Sequence, residues 1–300
     1  MYDVAIIGAG PAGITAAIYA ARYNLKTLLI SPGIGGWAAK AHKIENFPSH
    51  TSIFGKDLKK LYTQHVKAND IDYKLETAKE ITKSDNGFEV TTNAEKYDAK
   101  FLIYALGTKK RKINCPGEDE FLGKGVALCA TCDAPFFKGK DVAVIGGNDS
   151  GTTASLLIAE YANKVTIVEM MDKLPTEPIW MNKINENTKI NVITSDTVKE
   201  ITGDNVVNSV MLNSGKKLDV QGVFIEVGSI PNTGLLKNLN IETDNWGHID
   251  VDKTQMSNVD KLYATGDITN NSNYMRQIVV AQAEGAIAAG AIYKRITKGN

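Results

Sequence analysis

Two cysteines three residues apart, Cys129-Ala130-Thr131-Cys132, followed at once by Asp133, carry the densest chemistry in the 300-residue chain. A C-x-x-C pair can close into a disulfide across one short helical turn. Its first thiolate gains from a helix N-terminus, which lowers its pKa and makes it a nucleophile near neutrality. An acid directly after the pair can deliver or remove the proton that thiol–disulfide exchange moves. The third cysteine, Cys115, has no partner in sequence and is expected as a small, half-buried side chain near a domain joint. Zinc would need further ligands, yet no second cysteine pair exists and His42, His50, His65 and His248 show no ligand spacing. The spacing reads as a redox pair, with no metal site.

Two β-α-β units must position that chemistry. The first runs as strand YDVAII, the turn Gly8-Ala9-Gly10-Pro11-Ala12-Gly13, helix PAGITAAIYAARY and strand KTLLIS. Such a G-x-G-x-x-G turn allows close approach to a pyrophosphate and close helix–strand packing, with the free N–H groups of the helix start available to phosphate. Its second strand ends at Ser31-Pro32, where an acid would normally take ribose hydroxyls; that weakens NAD as the ligand and leaves FAD open. Gly33-Ile34-Gly35-Gly36-Trp37 and KIENFPS follow, then alternating stretches such as FEVTTNAEKYDAKFLIYAL, which read as an antiparallel add-on returning to a buried strand. After Gly107-Thr108 come the charge run Lys109-Lys110-Arg111-Lys112 and the turn Cys115-Pro116-Gly117-Glu118. The cysteine pair leads into the second β-α-β unit, which begins at Asp141, and the tail restarts with WGHIDVD, strand KLYATGD and a long Ala/Gly-rich helix. The expected class is α/β, with two Rossmann-like, three-layer ββα domains. The second, residues 113–244, is inserted into the first, residues 1–112 and 245–300.

Lys+Arg and Asp+Glu both number 34, so net charge gives no argument for nucleic acid or an anionic membrane surface as partner. No apolar run reaches membrane-spanning length. The first strand starts at once, leaving no room for a secretory leader, and a cytoplasmic protein is expected.

The ordered series GAGPAG (Gly8–Gly13), Gly35-Gly36, IENFP (Ile44–Pro48), PGEDEF (Pro116–Phe121), CATCD (Cys129–Asp133), PNT (Pro231–Thr233), ATGD (Ala264–Asp267) and Arg276-Gln277 resembles the low-molecular-weight thioredoxin reductases across nearly the whole chain. The resemblance implies an FAD domain made of both chain ends. Gly8, Gly10, Pro11, Ala12 and Gly13 would cradle its pyrophosphate. Ser31, Gly35, Gly36 and Trp37 would follow the second strand, with Trp37 covering the flavin or acting as a plain hydrophobic anchor. Asn46 would approach the flavin, Gly107 and Thr108 would join the site, Gly266 and Asp267 would hold the ribityl chain, and Arg276, Gln277 and Ile278 would lie along the flavin. By the same resemblance Cys132 faces the flavin, Cys129 attacks the disulfide of thioredoxin, and Asp133 is the general acid/base. The family works as a homodimer whose inserted domain swivels.

One turn departs from the pattern. The second β-α-β unit reads Gly146-Gly147-Asn148-Asp149-Ser150-Gly151, with asparagine at the middle glycine. Asparagine tolerates a left-handed backbone, so the turn can survive, but its side chain takes space meant for phosphate. Where the family places a His-Arg-Arg run for the 2′-phosphate of NADPH, this chain has Glu169-Met170-Met171, with Pro175 at a later arginine position. A carboxylate repels a phosphate and methionines donate no hydrogen bonds, so NADPH is excluded on charge. Glu169 is either a solvated strand-end acid or a ribose acceptor for NADH. The chain is similar to family members that take electrons from reduced ferredoxin, and Lys109–Lys112 offers such an acidic carrier a positive landing site, or is a solvated basic loop. An NADH-dependent disulfide reductase and a catalytically idle flavin redox sensor are the alternatives.

Overall fold

A computed structural model describes residues 1–298 and separates two compact units, Met1–Lys109 with the segment from Ile230 onward, and Lys110–Ser229. Strand β1 (Tyr2–Ala9) is buried from Val4 to Ala9, as a strand covered on both faces must be. Helix α1 (Pro11–Arg22) opens with proline in its first turn, where the missing N–H costs nothing. Strand β2 (Thr27–Ile34) returns parallel to β1, setting Leu29 beside Ile6. Helix α2 (Gly55–Lys67) leads to β3 (Ile71–Lys74), parallel to β2. Strands β4 (Ala78–Ser84) and β5 (Gly87–Thr92) form an antiparallel meander with the first half of β6 (Lys96–Tyr104); from Ala99 onward β6 lies parallel to β1.

The chain crosses through β7 (Thr108–Lys110) into the second unit, which contains β8 (Val126–Ala127), α3 (Ala130–Asp133), β9 (Asp141–Ile145), α4 (Asp149–Ala159), β10 (Lys164–Val168), α5 (Pro178–Glu186) and β11 (Ile190–Ile193). An antiparallel sheet of β12 (Val198–Gly203), β13 (Val207–Leu212) and β14 (Lys217–Asp219) follows, then β15 (Gly222–Ile225). The parallel sheet runs in the order β11-β10-β9-β15-β8. Return is through β16 (Ser229–Pro231), with β17 (Leu262–Ala264) beside β6 and the long helix α6 (Ile278–Lys298).

Each unit is thus a three-layer ββα Rossmann-like fold. In the first, Ile14, Leu58 and Ile292 from the three helices pack on one sheet face, while Ile81, Phe88 and Val90 of the meander pack on the other. In the second, Leu157 and Ile158 of α4 cover one face and Ile201, Val210 and Leu212 cover the other. Helix α6 sits against α1 because Gly285 has no Cβ; one there would meet the Ala12 carbonyl oxygen at 2.2 Å.

The division differs from the boundaries read in sequence. Residues 230–244 group with the terminal unit: Leu236 is buried in its core beside Ile81 and Val259, and the Asn232 carbonyl accepts from the Tyr104 hydroxyl at 2.7 Å. Residues 110–112 group with the inserted unit, where Lys110 pairs with Glu226 and the Arg111 N–H donates to the Gly228 carbonyl at 3.1 Å. The turn-rich stretches hide this, because a boundary is set by side-chain burial rather than by turns.

Candidate functional site: a dinucleotide cradle and a redox disulfide

The turn between β1 and α1 is built for a bulky anion. A Cβ on Gly13 would stand 1.9 Å from the Gly8 carbonyl oxygen, so glycine is what lets α1 start against β1. Gly10 is different: the nearest atom to a Cβ there is the Gly36 Cα, at 4.0 Å. The middle glycine therefore faces space rather than protein. Gly10 is the N-cap of α1, no side chain caps this end, and its first turn carries no acid. Uncapped N–H groups and the positive end of the helix are left for a phosphate.

The other residues expected around this turn converge by hydrogen bonds. The Trp37 indole donates to the Thr108 carbonyl at 2.8 Å, tying the Gly35-Gly36 loop to the segment after Gly107; Lys40 lies over its ring. The Asn46 amide donates to the Gln277 side-chain oxygen at 2.9 Å, joining that loop to the residue before Ile278 and α6. Ser31 is buried and its hydroxyl donates to the Gly33 carbonyl at 2.8 Å, shaping the end of β2. Gly266, Asp267 and Arg276 line a small cleft with Thr269 and Glu284. Burial raises the Asp267 carboxyl above its usual range, and the Arg276 charge pulls it back.

In the inserted unit Cys129 and Cys132 form a disulfide, their Cα atoms 5.3 Å apart. Cys129 is the N-cap of the one-turn helix α3; the Cys132 N–H points at its sulfur, 3.3 Å away, and the Asp133 N–H donates to its carbonyl at 3.0 Å. Cys132 is exposed and Cys129 half-buried. Asp133 is partly buried, and desolvation raises its carboxyl, which favours a group that holds and gives up a proton. Phe136, 73% exposed, presents an aromatic face just beyond the pair. Cys115 is half-buried and its thiol is pushed up to about 11 by burial and by Glu118, leaving it protonated and inert.

The turn before α4 has the backbone of the turn before α1 and the opposite chemistry. Asn148 has φ −71° and ψ −178°, against −77° and −178° at Gly10. No left-handed conformation is involved, contrary to the reason offered from sequence for asparagine here. What changes is the side chain: Asn148 Oδ1 accepts from the Gly151 N–H at 3.1 Å, and its Nδ2 donates to the Glu226 carbonyl at 2.8 Å. The first turn of α4 also holds an acid, Asp149, fixed by the Thr176 hydroxyl and the Glu177 N–H, both at 2.8 Å. Glu169 is buried, not solvated; one carboxylate oxygen accepts from the Gly147 N–H at 2.6 Å and the other from the Met171 N–H at 3.0 Å. Beneath the turn, buried Glu226 pairs with Lys110. Two donors of this turn are thus satisfied internally, the Gly151 N–H by the Asn148 amide and the Gly147 N–H by the Glu169 carboxylate.

Comparison with known proteins agrees with this architecture. The family model for pyridine nucleotide-disulphide oxidoreductases matches residues 2–285. The chain belongs to this family. It is 38% identical over 299 residues to the thioredoxin reductase of Bacillus subtilis, covering 97% of this chain and 94% of that one. The structure superposes on the thioredoxin reductase of Lactococcus lactis with a TM-score of 0.95 at 33% identity, covering 99% and 100% of the two chains. It also matches the ferredoxin-flavin thioredoxin reductase of Clostridium acetobutylicum, with a TM-score of 0.54 at 30% identity over 99% and 98%. This family member is an FAD-dependent oxidoreductase acting on a disulfide.

Several residues of this disulfide oxidoreductase escaped the sequence reading. Glu284, buried within α6, accepts from the Gly266 N–H and the Ser272 hydroxyl, both at 2.7 Å, and so fixes the loop carrying Asp267; burial raises its carboxyl. A lone acid in the small-residue stretch AQAEGAIAAG was the available signal. Asp149 and Glu226 gave none beyond their charge. The basic run is also partly spent, since Lys110 pairs with Glu226 and Lys112 with Asp119; Lys109 and Arg111 are its other, exposed members. Among the described residues no helix is long and apolar enough to cross a membrane.

Proposed function

We propose that this protein reduces thioredoxin or a thioredoxin-like protein through the Cys129–Cys132 disulfide, with reduced ferredoxin rather than a nicotinamide as donor. The observation that carries the donor is the contrast between the two helix starts, open and uncharged at Gly10, closed by Asn148 and bearing Asp149 at α4. A pyrophosphate at α4 would have to displace the Asn148 cap and lie against a carboxylate. NADH remains the rival because Glu169 directly follows β10, where ribose hydroxyls are usually received, but both its oxygens already hold backbone N–H groups.

The FAD site in this reading is the cradle of Gly8, Gly10, Pro11, Ala12 and Gly13 with Ser31, the Gly35–Trp37 loop, Asn46, Gly107, Thr108, Gly266, Asp267 and Arg276 to Ile278. FAD supplies electrons in pairs to a disulfide and can itself accept them singly, which suits a one-electron carrier. Two electrons and two protons convert the Cys129–Cys132 disulfide to a dithiol. The Cys129 thiolate then attacks one sulfur of the partner's disulfide, forming a mixed disulfide and releasing one partner thiolate, which takes up a proton. The Cys132 thiolate attacks Cys129 Sγ, re-forming the internal disulfide and freeing the second partner sulfur as a thiol. Asp133 gives and removes these protons. Lys109 and Arg111 provide the positive charge for an acidic donor, and a homodimer belongs to the same reading.

The test is anaerobic bleaching of the oxidised flavin absorbance by reduced ferredoxin, NADH and NADPH in parallel, followed by thioredoxin reduction. Ferredoxin alone should bleach the flavin and drive turnover. Rapid bleaching by either nicotinamide overturns the donor assignment, and an absence of thioredoxin reduction with every donor would favour the idle sensor.

A further inference from the structure

We propose that His248 is a positioning residue of the flavin site, accepting a hydrogen bond from the Arg276 guanidinium and thereby fixing that cation in the cleft it shares with Asp267. This rests on the reading that FAD occupies the cleft. His248 is buried on a turn that Asp244 organises: the Trp246 and His248 N–H groups donate to Asp244 Oδ1 at 2.8 and 2.9 Å. The other Asp244 oxygen lies 3.3 Å from His248 Nδ1, and the Arg276 guanidinium contacts Nε2. The neighbouring Ile249 N–H donates to the Ile268 carbonyl at 2.9 Å, which sets this turn beside the Asp267 loop.

The chemistry of the two partners assigns the proton. A guanidinium only donates, so Nε2 must present its lone pair, and the ring proton sits on Nδ1 facing the Asp244 carboxylate. The ring is therefore neutral while the contact stands, and adding a proton to Nε2 removes the acceptor and sets two cations together. Asp244 acts on the ring from its own turn and Arg276 from the segment before α6, with Asp267 facing Arg276 from the loop after β17. Burial and the Arg276 charge hold His248 below its ordinary value of 6.5, against the pull of Asp244. Arg276 is thus held at neutral pH and released on acidification.

The experiment measures FAD dissociation from the purified holoprotein by recovery of free-flavin fluorescence, for wild type, His248→Ala, His248→Gln, Arg276→Ala and the double alanine variant. His248→Ala should weaken FAD binding by roughly tenfold, the scale of one charged hydrogen bond. The double variant should be no weaker than Arg276→Ala alone, because the histidine acts through the arginine. His248→Gln, which keeps a neutral acceptor and cannot titrate, should bind nearly as wild type at pH 7.5 and lack the wild-type rise in dissociation below pH 6.5. An additive double variant, or the same acid-side rise in His248→Gln, overturns the proposal. If His248→Ala does not fold, the pH comparison of wild type with His248→Gln decides alone. Gly10→Asp separates the two readings: FAD still bound there refutes the cradle itself, whereas loss of FAD there with unresponsive His248 variants refutes only the positioning role.

Discussion

At the scale of single residues the chemistry depends on groups whose burial differs. Asp133 is shielded enough for its carboxyl to be raised, while Cys132 beside it is exposed. Asp133→Asn keeps the shape and removes the proton carrier, so steady-state thioredoxin reduction should slow by about 10²–10⁴-fold, the usual worth of general acid–base catalysis. Reduction of its Cys129–Cys132 disulfide by excess dithiothreitol should still go to completion. Cys129→Ser should retain bound flavin and lose turnover, read from the visible spectrum and the same assay. Lys110 and Glu226 pose a stability question, because the pair is largely buried. Lys110→Met strands a carboxylate in the interior and should cost about 3 kcal/mol in urea unfolding, whereas adding Glu226→Leu should return most of it. Burial already raises Glu226, and losing Lys110 raises it further. The folded single variant then binds a proton that the unfolded chain does not, so its deficit should be smaller at pH 5 than at pH 8.

At the scale of elements, two turns with one backbone have diverged by side chain alone. Asn148→Gly removes a cap and should cost only a few tenths of a kcal/mol, about the usual difference between these two residues at an N-cap. It should not by itself make NADPH a reductant, because Asp149 and Glu169 remain on the same helix start and strand end. Stopped-flow bleaching of the flavin by NADPH in that variant checks this, and a rate matching the ferredoxin reaction would mean the asparagine side chain was the whole barrier. These turns also mark what the sequence carries openly. Gly8, Gly10 and Gly13 were legible because a glycine fingerprint is local, its spacing dictated by one strand, one turn and one helix. The Cys129–Cys132 disulfide was legible for the same reason. The extended backbone of Asn148 was not, because asparagine is equally at home in left-handed and extended regions. Nor were the contacts of Glu169 with Gly147, Lys110 with Glu226, or Arg276 with His248, whose partners lie 22, 116 and 28 residues apart and meet only once the sheets are assembled. Within the charge run Lys109–Lys112 the sequence shows four cations but not their partners, Glu226 for Lys110 and Asp119 for Lys112.

At the scale of the whole molecule, the division into two units, each with its own core, makes FAD a selective stabiliser. The residues expected to hold it, from Gly8 to Thr108 and from Gly266 to Ile278, all lie in the unit made of the chain ends. The matching turn of the inserted unit, before α4, is closed by Asn148 and carries Asp149. A ligand that binds only the folded state adds about 2.7 kcal/mol at a hundredfold excess over its dissociation constant. For a unit of this size that corresponds to roughly 5–10 °C in melting temperature. Calorimetry of protein stripped of FAD should therefore show two transitions, of which titrated FAD moves one upward and leaves the other in place. Limited proteolysis identifies them: fragments released at the FAD-sensitive transition should come from residues 1–109 and 230 onward. The packing of α6 on α1 gives the matching perturbation, since Gly285→Ala drives a methyl into the Ala12 carbonyl. It should lower the FAD-sensitive transition, at a cost of about 1–3 kcal/mol for an overpacked contact, and spare the other. If both transitions fall together, or FAD shifts both, the units unfold as one and the inserted domain's stability is not its own.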